Sequence, residues 1–203
     1  MQKKLLLVLT IAMAALSSQS QVQKGNWLLG GSFSYYNQSV TADNSPTMHQ
    51  YSGVVMLLPG LAVANKTVIG IRAGITFNEN KQDQLKNSQF GFAPGVYWNQ
   101  YFPFSEKAGF YTHLETGYDY AKYKSTSGTA TYTNTVKGFD ARVTPALYFK
   151  PSKKMLVNAA IGSLGYAHSS VDNNLQGKTK SSGFSSSFLN GFTFGVDFIL
   201  GKS

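Results

Sequence analysis

From residue 26 onward, apolar and polar positions alternate with a period of two, and no 3.6-residue stripe competes with that pattern. The alternation predicts eight strands: 26–38, 50–64, 67–78, 89–102, 109–121, 138–149, 155–168 and 186–200. The connections between them alternate in length. Residues 39–49, 79–88, 122–137 and 169–185 are long polar runs rich in Ser, Thr, Asn, Gly and Lys. The other three are short: Asn65-Lys66, Pro103 to Ala108, and Lys150 to Lys154. In an up-and-down antiparallel barrel, odd connections gather at one end and even ones at the other, which is the layout these lengths describe.

Two inside-out versions of such a barrel share the period. A soluble, lipocalin-like barrel points its apolar face inward, whereas a membrane barrel points it outward. Lysine decides between them, because none falls within the eight predicted strands and those beyond Lys4 fall in connections or at strand margins. A watered outer face tolerates lysine, but a lipid-facing one resists it by ~2–4 kcal/mol at the bilayer midplane. The charges that do lie in strands take the less apolar face. Arg72 shares parity with Gly70 and Gly74, opposite Ile69, Ile71, Ala73, Ile75 and Phe77. His113, Glu115 and Asp119 oppose Thr112, Leu114, Tyr118 and Tyr120, while Asp140 and Arg142 oppose Phe139, Ala141 and Val143. Asp197 lies with Thr193 and Gly195, opposite Phe192, Phe194, Val196 and Phe198. The expected fold class is therefore all-β: an eight-stranded antiparallel up-and-down transmembrane β-barrel over 21–203. Aromatic belts are expected at Trp27, Phe102, Phe110, Phe149 and Phe198 on the short-turn side. On the other side they are Tyr35, Tyr36, Tyr51, Phe90, Tyr118, Tyr120 and Phe188.

Composition narrows this further. The 203 residues contain no cysteine, which removes disulfide scaffolds, thiolate metal sites and lipidated N-terminal cysteines. The formal charge is +9, but only Arg72 and Arg142 are arginines, too few for a nucleic-acid reader. Lys3 and Lys4, the apolar run from Leu5 to Leu16, and Ser18 and Ser20 form a signal peptide over 1–20, with export expected. The apolar run falls short of the ~20 residues a spanning helix needs.

The chain resembles the porin-like outer membrane protein beta-barrel domain family of Gram-negative bacteria, in the broad OmpA/OmpX-like eight-stranded class. The resemblance is carried by Gly25 to Tyr36 (GNWLLGGSFSYY), Leu58 to Gly74 (LPGLAVANKTVIGIRAG), Phe92 to Pro103 (FAPGVYWNQYFP) and Phe110 to Tyr120 (FYTHLETGYDY). It continues through Pro145 to Tyr166 and Phe192 to Gly201 (FTFGVDFILG). It implies location in the cell outer membrane, periplasmic termini, and a structural or loop-mediated binding role. Relatives often end on an aromatic residue, whereas here Ile199 to Ser203 follow Phe198. No room remains for a peptidoglycan-gripping domain, so wall tethering is not expected.

The candidate chemistry lies inside. Arg72, His113, Glu115, Asp119, Asp140, Arg142 and Asp197 are expected to form a barrel-interior polar network, because buried charges must pair. A structural role is the primary reading, and a gated path for small solutes is the alternative. His49, His113 and His168 show no metal-ligand spacing, and no metal or cofactor is expected. His168-x-Ser170 resembles half of the His-x-Ser-Asn pattern of barrel lipid A deacylases, but Val171 stands where Asn is expected, so no enzyme is expected. Lys81, Lys86, Lys122, Lys124, Lys178 and Lys180 are placed to meet lipopolysaccharide phosphates. The expected partners are outer-membrane lipid, lipopolysaccharide and an extracellular ligand of the long loops, for a monomeric chain. The third long connection, 122–137, is also a candidate protruding hairpin.

Overall fold

The computed structural model describes residues 22–41, 46–83, 85–173 and 177–201, without the side chains of 189–192. The expected signal peptide and the Phe192 side chain lie outside the described residues. Every regular element among the described residues is a strand: β1 (Trp27–Val40), β2 (Met48–Ala64), β3 (Thr67–Gln82), β4 (Leu85–Pro103), β5 (Ala108–Ser127), β6 (Ala130–Ser152), β7 (Met155–Asn173) and β8 (Gly177–Leu200). Each pairs antiparallel with the next, and β8 returns to β1 to close the barrel. That last seam is short, joining Trp27 with Leu200, Leu28 with Ile199 and Leu29 with Phe198.

The strand ends at the short turns fall close to the sequence expectation, but the opposite ends do not. The predicted long connections are largely strand. β3 and β4 pair as far as Gln82 with Leu85, and β5 and β6 as far as Ser127 with Ala130. β7 and β8 pair as far as Asn173 with Gly177. Their Ser, Thr, Asn and Lys side chains carry no apolar alternation, yet their backbones satisfy one another in the ladder, which polarity alone does not forbid. The hairpin at Gly128 turns on a left-handed residue (φ 58°), the conformation that tight two-residue turns require. The protruding third hairpin is thus present. The lysines expected in loops lie instead on strand extensions: Lys81, Lys86, Lys122, Lys124, Lys178 and Lys180 are all strand residues, with parity to the outer face.

The outer face is apolar and the inner face polar. Phe33 is 73% exposed, Ile71 57%, and Trp27, Phe110, Phe149 and Phe198 are also exposed. The buried polar side chains are Arg72, Asn99, Glu115 and Asp140. Along β5 the outward residues run Phe110, Thr112, Leu114, Thr116, Tyr118 and Tyr120 before the first charge, Lys122. Tyr36 departs from the expected belt. It pairs with Ser52 on the inward parity and its hydroxyl donates to Gln38, because adjacent Tyr35 and Tyr36 must point to opposite faces.

The short-turn end is sealed. Tyr101 and Tyr111 stack at 5.1 Å, and Tyr148 meets Tyr101 edge-on at 5.4 Å. Leu28, Ala62, Val68, Leu156 and Ile199 fill in around them, all buried. Val22 completes this floor: its carbonyl accepts from Lys66 N at 3.0 Å, so the segment before β1 folds beneath the barrel. Glycines make the space. A Cβ at Gly109 would meet the Tyr148 hydroxyl at 2.5 Å, and one at Gly70 would strike the Tyr97 ring.

Candidate functional site in the barrel lumen

Above the tyrosine floor, β3, β4, β5 and β6 direct inward side chains at one another. Ladder register places Arg72 opposite Gly95, and Glu115 opposite Arg142 and Tyr97. The guanidinium of Arg72 crosses two strands to reach β6. It donates from Nη2 to Asp140 Oδ1 at 2.6 Å and from Nη1 to Oδ2 at 3.1 Å, a bidentate pair. It crosses over Gly95 and Gly117: a Cβ at Gly95 would lie 3.0 Å from Arg72 Nε, and one at Gly117 would collide with Nη2. The glycines beside Arg72 are thus the channel through which its side chain runs.

Glu115 is the hub. Its Oε1 lies 3.6 Å from Arg72 Nη1 and 3.5 Å from Arg142 Nη1, while its Oε2 lies 3.3 Å from His113 Nε2. His113 Nδ1 lies 2.6 Å from Asn99 Oδ1, so the imidazole bridges an amide and a carboxylate. Asp119 closes the group from above at 3.7 Å from Arg72 Nη2. Burial differs across the group. The Arg72 and Glu115 side chains are 4% and 8% exposed, but Asp119 and Arg142 are each 51% exposed, facing the open lumen.

Six of the seven residues anticipated from the sequence therefore form one connected cluster: Arg72, His113, Glu115, Asp119, Asp140 and Arg142. Asp197 is inward too, but none of its hydrogen bonds or ion pairs among the described residues joins it directly to these six. Its Oδ2 accepts from Asn158 Nδ2 at 3.0 Å, and its carboxylate fills the space over Gly30. Asn99, Asn158 and the four tyrosines of the lower lumen were not singled out beforehand. Tyr97, Tyr101 and Tyr111 share parity with Asn99 and His113, and that shared face was the available signal. Tyr97 donates to the Leu58 carbonyl at 3.1 Å and its ring lies 5.3 Å from His113, tying the cluster to the floor.

Chemically, the cluster is a closed ion-pair network above a sealed floor. Among the described residues, no group of three or more acidic or histidine side chains converges as a metal site. His168 and Ser170 lie on the outward parity of β7, and Ser170 Oγ is buried without a hydrogen-bond partner.

No family model matches the chain, and no curated protein matches it in sequence. Among solved structures it is similar to the N-terminal beta-barrel domain of Pseudomonas aeruginosa OprF, at 9% identity and a TM-score of 0.35, covering 88% of this chain and 98% of that one. The fold assignment stands on the strand ladder itself, an eight-stranded antiparallel barrel.

Proposed function

We propose that this chain is an integral outer-membrane protein. Its barrel crosses the bilayer, the tyrosine floor and both termini face the periplasm, and the long hairpins project outward to bind. The observation that carries this reading is the inverted distribution of polarity. Outward positions of β5 from Phe110 to Tyr120 carry no charge, and that stretch matches the ~9–11 residues of a tilted crossing. The charges of the same strands are turned inward and paired with one another. Immediately beyond the apolar belt come Lys122, Lys124 and Lys137 on the outer face, positioned to meet lipid phosphates, those of lipopolysaccharide among them.

The role is structural or ligand-binding rather than that of an open pore, because the Tyr101, Tyr111 and Tyr148 rings fill the lumen near the short turns. No catalytic activity is assigned.

Electrophoresis of the outer-membrane fraction, unboiled against boiled, tests the reading. The expected result is a compact cold species that shifts to the mature mass on boiling. Recovery as a soluble periplasmic protein with no shift would reject it in favour of a lipocalin-like barrel.

A further inference from the structure

Beyond the belt, the inner face of the hairpin extensions changes character. Register aligns two adjacent rows across four strands. One row is Asn78, Gln89, Tyr123 and Asn134, and the next is Asn80, Asn87, Ser125 and Tyr132. Together they line a cleft of about 340 Å³, within the ~300–1,000 Å³ range of small-ligand sites. The cleft contains five side-chain amides and two tyrosine rings but no aliphatic side chain, and the one charged residue on its lining, Lys124, has outward parity. Both rings are accessible, Tyr123 at 40% and Tyr132 at 46% exposed. Asn80 Oδ1 is buried without a hydrogen-bond partner, an acceptor waiting for a donor.

We propose that this cleft binds a neutral saccharide. The chemistry excludes the other classes. A phosphate or carboxylate ligand needs several cations, and a lipid tail or apolar peptide side chain needs aliphatic walls. A sugar hydroxyl both donates and accepts, and each Asn or Gln amide offers both functions on a planar head. The C–H face of a pyranose ring is apolar and stacks on an aromatic ring, and Tyr supplies that ring with a polar tip. Placement in two paired rows on rigid strands fixes the spacing of these groups, so affinity does not depend on ordering a loop. The proposal rests on the exported-barrel reading for where the sugar is met, whether free in the medium or on a neighbouring surface.

The test uses full-length mature protein that already shows the heat-dependent mobility shift, so that failure here counts against the cleft and not the barrel. It is held in lauryldimethylamine oxide, because alkyl-glycoside detergents would compete. The labelled protein is applied to an array of neutral and anionic glycans, and each retained glycan is titrated by saturation-transfer NMR, alongside the matching free mono- and disaccharides. The expected result is saturable binding of at least one neutral glycan. Binding should weaken about tenfold or more in Tyr132→Ala and in Asn80→Ala, and stay unchanged in Thr135→Ala on the outer face. Binding of the free sugar identifies a solute source, and binding of the array glycan alone identifies a surface one. The proposal is overturned if no neutral glycan is retained, if both cleft variants bind like the parent, or if retention is confined to anionic glycans and lost in salt. The last result would assign binding to the lysines.

Discussion

Replacing Arg72 with Met keeps the apolar stem of the side chain but removes the guanidinium and its charge. The resulting loss falls mainly on Asp140. That carboxylate receives both of its Arg72 hydrogen bonds, at 2.6 and 3.1 Å, and its side chain is 10% exposed. Glu115 keeps Arg142 and His113, and Asp119 is open enough to be hydrated. One carboxylate is therefore left buried without its cation, which costs about 3–5 kcal/mol. Removing both partners, as Arg72→Met with Asp140→Leu, leaves no stranded charge and should bring stability back to within about 2 kcal/mol of the parent. Urea titration in phospholipid vesicles measures this through Trp27 and Trp98, which both lie on the outer face and, on the proposed membrane reading, would report loss of the lipid environment. A single-variant loss below about 1 kcal/mol, or a double variant as unstable as Arg72→Met, would show that water solvates the cluster and that no closed network exists.

Four further outcomes are expected. Ile71→Lys puts a charge at the middle of the outer face and should lower insertion by about 2–4 kcal/mol, read as the folded fraction in vesicles, whereas a water-facing surface would leave it unchanged. Tyr148→Phe deletes a buried hydroxyl that has no partner, so the unfolding free energy from urea titration should hold or rise by up to about 1 kcal/mol. The parent should give no conductance steps in planar bilayers, and the triple variant of Tyr101, Tyr111 and Tyr148 to Ala should give them; steps in the parent would mean that the tyrosine floor is not a seal. On the β3–β4 extension, hydrogen bonds from Lys86 and Lys81 hold the Glu79 carboxyl below its usual range. Its contribution is thus present above the unfolded-state value and lost as pH falls through the folded one. Carboxyl-carbon NMR titration should show that depression, and Lys81→Met with Lys86→Met should abolish it.

The barrel was legible because its parity is enforced. Each outward position of β3 from Ile69 to Phe77 is apolar, each inward one from Gly70 to Gly74 is glycine or Arg72, and a one-residue slip would reverse both faces. The cluster was legible for the same reason, since charges on a shared inward parity have nowhere to go except toward one another. The upper strand limits were not legible. In 122–137 both faces are polar, with Lys122, Lys124, Thr133 and Thr135 outward and Tyr123, Ser125, Tyr132 and Asn134 inward, so no apolar alternation marks where the backbone pairing continues. The separate hydrogen bonding of Asp197 could not be foreseen, because its position depends on Gly30 of β1 making room for its carboxylate. The floor needed a segment outside every strand, since Val22 reaches it only through the Lys66 turn.

The β1–β8 seam has a consequence for how the molecule assembles. Seven of the eight strand junctions join neighbours in sequence, so each can form as a local hairpin and grow from its turn. The eighth must bring together the two ends of the described chain, and among the described residues its ladder pairs are Trp27 with Leu200, Leu28 with Ile199 and Leu29 with Phe198. Closing so large a loop is entropically unfavourable until the rest of the sheet has curled and carried the ends into reach. Closure is therefore expected to come last in assembly, and the seam at Leu28 and Ile199 is expected to be the first to open.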